Sequence, residues 1–183
     1  MRWKNNLDDW GWTSIVIHWV TALAVLALFV LGLWMVDLTY YDDWYRQAPY
    51  IHKSIGVLLL LLTLFRLVWY YSNPRPESLG SYSDIERNAA KWVHGLMYLF
   101  MLSVMLSGYF ISTADGRSID VFGWFEMPAL DLAIENQEDL AGDIHFVLSV
   151  ILISMVVVHA AAAMKHHWID KDPTLKRMLG IRS

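Results

Sequence analysis

Cysteine is absent from the 183-residue chain. That excludes disulfides, iron–sulfur clusters, thiolate zinc, cysteine nucleophiles and covalent c-type attachment, which needs a C-x-x-C-H motif. Charge is also scarce. Charged residues make up 17% and hydrophobic residues 56%, against roughly 25% and 45–50% in soluble domains. A soluble globule of this size would expose too much apolar surface, and so apolar a chain is no disordered one. A basic excess is lacking too. The net charge of −4 offers no patch for nucleic acid.

What the chain does have is four long apolar stretches. Residues 14–36, 92–114 and 144–164 carry no charge, while 51–71 contains Lys53 and Arg66. About 20 apolar residues cross a bilayer core, and backbone satisfaction in lipid requires them to be helical. The expectation is an all-α integral membrane four-helix bundle, one domain over 1–183. The second stretch has a charge-free core of only 12 residues, 54–65. It still reads as a span beside three clear ones, and a charge inside a span points to function. The first stretch is too long for a signal h-region and lacks a small-residue cleavage site, so it reads as a retained span.

Lysine and arginine placement predicts orientation. With both termini in the cytoplasm, 11 of the 14 cations fall inside, Arg182 among them, and only Arg46, Lys53 and Arg117 fall outside. This bias sets both ends inside. The outside is acidic, with Asp42, Asp43, Asp115, Asp120, Glu126 and Asp131 among its residues. Aromatic residues such as Trp34, Trp44, Trp12 and Trp69 mark the two headgroup levels. The loop 72–87, with Pro74 and Pro76, reads as an inner linker. The outer loop 115–143 holds an apolar piece, 121–130, too short to span and expected to cap the bundle from outside.

Seven histidines carry the candidate chemistry. His145 and His159 lie on the fourth span, 14 residues apart. That is about 21 Å of rise and about 40° short of whole turns, so both rings leave one face at different depths. His18 shares the depth of His159, and His52 shares the depth of His145. Two histidines facing one another suit a haem iron, because the porphyrin supplies the other four nitrogens; zinc would be left short of ligands. Gly56 stands one turn from His52, where a missing side chain gives a flat ring room; ordinary helix packing is the other reading. Arg66 shares the His52 face at the depth of the inner pair. It suits a haem propionate or snorkels to inner headgroups, and Lys53 admits the same two readings at the outer side. His94, one turn after Lys91, reads as a quinone pocket or as an interface histidine. His166 and His167 read as solvated tail residues.

These residues have a pattern. Ile17-His18-Trp19, His52-Lys53-Ser54-Ile55-Gly56 with Arg66-Leu67, and His94 with Tyr98 and Gly108 lie in the first three spans. His145, His159-Ala160-Ala161-Ala162, His166-His167 and the tail Asp172-Pro173-Thr174-Leu175-Lys176-Arg177-Met178 complete it. Nearly the whole chain resembles the bacterial cytochrome b561 family. The resemblance implies a multi-pass protein of the bacterial inner (cytoplasmic) membrane, and two b haems held by His18 with His159 and by His52 with His145. It implies electron exchange with membrane quinone and an oxidoreductase role similar to superoxide oxidases, which pass an electron from superoxide to ubiquinone. An electron-relaying subunit docked to a separate dehydrogenase or hydrogenase is the alternative, and a haem-free transporter with histidine proton relays is a third. The expected sidedness is electron entry near His52 and Lys53, from superoxide or a soluble partner, and quinone near His94 and Lys91.

Overall fold

The computed structural model describes residues 2–77, 83–130 and 134–181; Asp131 and Arg182, used in the charge asymmetry, lie outside them. The described residues form α1 (Trp12–Met35), α2 (Gln47–Ser72), α3 (Asp84–Ser112), β1 (Ile119–Val121), β2 (Phe125–Met127), α4 (Gln137–Trp168) and α5 (Thr174–Met178). Helices α1 to α4 are each long and apolar enough to cross a membrane. The fold class is all-α, with four membrane-capable helices. The second stretch is one unbroken 26-residue helix despite Lys53 and Arg66. α3 and α4 start earlier than the charge-free runs. Their first turns carry Asp84 and Glu86, and Glu138 and Asp139, acids that complement the positive end of a helix dipole.

The chain divides into two compact units. One is built of residues 1–21, 62–99 and 154–183, the other of 22–61 and 100–153. The first holds both termini and is called the terminal unit. The second holds both strands and is called the hairpin unit. Each takes a segment from all four long helices.

In the terminal unit the chain before α1 is fastened by Asn5, a buried side chain. Its Oδ1 accepts hydrogen bonds from the Gly11 amide at 2.8 Å and the Ser14 hydroxyl at 2.7 Å, while its Nδ2 donates to the Pro74 carbonyl at 3.1 Å. The Trp69 indole donates to Ser14 Oγ at 3.0 Å. Gly11 has no alternative, because a Cβ there would run into the Trp3 and Lys4 backbone. At the other end of the chain, Trp19 Nε1 donates to the Met178 carbonyl at 2.8 Å, tying α5 to α1.

In the hairpin unit β1 and β2 pair antiparallel, Ile119 opposite Met127. Phe122 and Gly123 both have positive φ, 53° and 69°, the conformation of a tight hairpin turn whose twist matches the strands. Fully buried Val121 packs with Val57, Tyr109 and Ile119. Ser54 Oγ donates to the Asp120 carbonyl at 3.2 Å, and Tyr109 donates to the Pro128 carbonyl at 2.6 Å. The apolar piece of the outer loop is therefore a hairpin seated on α2 and α3. Much of the remaining apolar surface of the long helices is exposed, including Leu23, Val30, Val68, Leu99 and Val157. In water that would be costly; against lipid tails it costs nothing.

Candidate functional site

Each unit brings together histidines from separate helices. In the terminal unit, the rings of His18 on α1 and His159 on α4 have centres 6.4 Å apart and planes crossed at 61°. In the hairpin unit, His52 on α2 and His145 on α4 lie 6.2 Å apart with planes crossed at 71°. Two imidazoles bound through one nitrogen each to opposite sides of a metal ion, at about 2 Å per bond, have ring centres about 6 Å apart. Both pairs meet that spacing.

The surroundings differ. His145 Nδ1 lies 2.9 Å from the Val104 carbonyl oxygen and 3.2 Å from Ser107 Oγ. A carbonyl only accepts, so the imidazole hydrogen sits on Nδ1 and Nε2 keeps its lone pair. This is the orientation in which metal-binding histidines are usually held. His52 Nδ1 is buried and has no hydrogen-bond partner among the described residues. A Cβ on Gly32 would stand 3.3 Å from His52 Cε1, and one on Gly108 would stand 3.0 Å from His145 Cε1. Both rings therefore pack closely against the backbone of a glycine, and a Cβ at either position would require the ring to shift. Around Gly56 the opposite holds, with no atom within 4 Å of where a Cβ would be. Lys53 is exposed.

In the terminal unit a third ring joins the pair. His94 on α3 lies 5.2 Å from His159, closer than the spacing of two ligands on opposite sides of one ion. Arg66 turns to its neighbours: Nη2 donates to His18 Nδ1 at 3.0 Å, and its guanidinium lies 5.4 Å from the centre of the Tyr98 ring. In this arrangement His18 accepts at Nδ1 and carries its hydrogen on Nε2, the tautomer opposite to His145. Lys91, three residues before His94, is exposed.

His166 and His167 are not the solvated tail residues the sequence suggests. His166 Nδ1 lies 2.7 Å from Asp170 Oδ2, which also accepts from Lys165 at 2.8 Å. His167 Nδ1 is buried. The turn after α4 folds back, with Lys171 at a φ of 55°, and so places both Asp170 and Asp172 beside His166. Hydrogen bonds from Lys165 and then His166 hold the Asp170 carboxyl below its ordinary value.

A sequence profile of the prokaryotic cytochrome b561 family matches residues 9–180. The chain belongs to that family. It is 47% identical over 180 residues to "Cytochrome b561 homolog 2" of Escherichia coli K12, covering 98% of this chain and 96% of the relative. It is 29% identical to "Probable superoxide oxidase CybB" of Yersinia pestis, over 91% of this chain and 93% of that protein. It is 26% identical to "Cytochrome b562" of Cereibacter sphaeroides, over 91% and 92%. Membership makes this cytochrome b561 a bacterial membrane protein of electron transfer that binds b-type haem. The residues present fit that group. Both histidine pairs have the required spacing, His145 is held with a free Nε2, and buried His52 Nδ1 is an imidazole nitrogen committed to no other group.

Sequence reasoning did not pick out Gly32, Val104 or Ser107. Only Gly32 carried a readable signal. It is the glycine in an otherwise bulky run near the end of the first span.

Proposed function

We propose that this cytochrome b561 holds two b haems, one in each unit, and moves electrons between a donor outside the cell membrane and quinone within it. The ring spacing of the two histidine pairs carries this reading. Bound haem supplies one-electron chemistry at an iron closed on both sides by imidazole. His18 and His159 would hold it in the terminal unit, and His52 and His145 in the hairpin unit. The positive-inside bias supports a terminal unit at the cytoplasmic side of the inner membrane, in a multi-pass protein of one domain with both termini inside.

The residues divide the remaining work. Arg66 offers a propionate a charge-assisted, forked partner. In taking that partner it releases His18 Nδ1, so the imidazole hydrogen can sit there and Nε2 can bind. Gly56 leaves open space one turn from His52, room for the macrocycle edge. Lys53, exposed within the hairpin unit, would be a cation for the second haem's propionates and for an anionic donor. His94 and Lys91, at the α3 end of the terminal unit, would supply ubiquinone with hydrogen-bond donors.

Superoxide is the donor this reading favours. A relative at 29% identity carries the name probable superoxide oxidase, and exposed Lys53 is a cation that could focus an anion locally on an acidic face, whereas Arg117 is paired with Asp115. The test is purified protein in detergent, given superoxide and a short-chain ubiquinone. Quinone reduction by this protein alone, suppressed by superoxide dismutase, is expected. Reduction only after addition of a separate dehydrogenase would assign the chain to the electron-relaying subunits instead.

A further inference from the structure

Helix α3 passes behind His145 with three residues on one face, spaced i, i+3 and i+4. The Val104 carbonyl meets Nδ1 at 2.9 Å. The Ser107 hydroxyl donates its hydrogen to the same carbonyl at 2.9 Å, so only its lone pairs face Nδ1, at 3.2 Å. Gly108 supplies the space, since a Cβ there would stand 3.0 Å from Cε1 and 3.2 Å from Nδ1. Those distances are tighter than nine in ten real Cβ contacts, so the ring would have to shift by a few tenths of an ångström. Ser107 itself is buried.

We infer that Val104, Ser107 and Gly108 form a seat that fixes the tautomer and donor strength of His145, making it the electron-richer of the two hairpin-unit imidazoles and setting the potential of the haem there. This rests on the proposed haem binding by His52 and His145. A hydrogen bond accepted from Nδ1–H pushes electron density toward Nε2 and favours the oxidised metal. His52 has no such partner, because its Nδ1 is unpaired among the described residues. The ligand pair is therefore unequal, and the inequality is built by α3, a helix that contributes no ligand to that pair. Gly108 and Ser107 act through His145, as positioning residues.

The seat predicts a direction. Filling Gly108 moves the ring off the carbonyl, weakens the Nδ1–H bond and raises the midpoint potential of the hairpin-unit haem. Removing the Ser107 hydroxyl takes away one of two acceptors and raises it by less. The experiment is a spectroelectrochemical titration of the purified holoprotein, comparing wild type with Gly108→Ala and Ser107→Ala and counting haem per chain. Two haems with one potential raised and the other unmoved is the expected result. If Gly108→Ala costs haem, Ser107→Ala, which adds no bulk, decides. Unchanged potentials in Ser107→Ala and in any haem-retaining Gly108→Ala overturn the seat. His145→Ala keeps the two failures apart. If it leaves both haems in place, the ligand assignment is wrong; if it removes one haem while the seat variants change nothing, only the seat is wrong.

Discussion

The two histidine pairs have nearly the same ring spacing and very different company. In the hairpin unit, His52 and His145 are enclosed by the absence of side chains at Gly32 and Gly108 and by one backbone carbonyl. In the terminal unit, His18 and His159 stand beside Arg66, His94 and Tyr98. One site is defined by close fit and fixes its ligand's tautomer through the backbone. The other is defined by polar and chargeable side chains that contact the pair directly. The two pairs thus share a spacing, and the difference between them lies in what surrounds the imidazoles.

The sharpest way to break this comparison is to open one site at a time. With both axial positions closed, carbon monoxide should barely change the reduced spectrum of the wild type. His159→Ala should make the terminal-unit haem reactive toward carbon monoxide or remove it, leaving the other absorption band untouched. If both bands respond together, the two sites are not independent.

A smaller effect is expected at His94. Its ring is too close to His159 for the two to bind opposite sides of one iron, so His94→Ala should keep both haems and slow quinone reduction about tenfold, a loss of about 1.4 kcal/mol in transition-state stabilisation. Stopped-flow reduction of ubiquinone, with haem content measured alongside, checks this. Unchanged turnover would move the quinone site away from α3.

Arg66→Leu comes next. A guanidinium near an iron favours the reduced state, which carries one positive charge fewer. Its loss should lower the terminal-unit potential by roughly 1 kcal/mol, the scale of a partly screened charge at protein distances. The hairpin-unit potential should stay where it is, and a redox titration resolves the two.

The smallest effect lies at the turn after α4. Hydrogen bonds from Lys165 and His166 hold the Asp170 carboxyl below its usual value of 3.8. A carboxyl lowered on folding adds stability above its unfolded value and loses it as pH falls through its folded value. Asp170→Asn should therefore be slightly less stable than wild type at neutral pH and equal to it well below pH 3.8. Thermal melts at the two pH values test this, and any effect elsewhere in the protein should be absent.

Much of this was legible in the sequence. Long apolar runs, three of them charge-free, located the four long helices, because lipid requires an internally bonded backbone. Helical rise placed His18 beside His159 and His52 beside His145, because depth along a span is a one-dimensional quantity. Lateral position is not, and so the approach of His94 to His159 and the turn of Arg66 toward His18 needed coordinates. The seat behind His145 was hidden for a different reason. Two of its elements are a carbonyl and a missing Cβ, and a sequence shows neither as a functional group. The tail misled because His166 looks like a solvated residue until the backbone at Lys171 turns left-handed and returns two carboxylates to it.

The central claim is one haem in each unit, each held by its own histidine pair. The most direct test is the haem-to-chain ratio of the purified protein, measured for the wild type and for His52→Ala. The account predicts two b haems per chain falling to one, with the survivor keeping the potential of the terminal-unit haem. A wild-type ratio of one, or a ratio of two that survives His52→Ala, would contradict it.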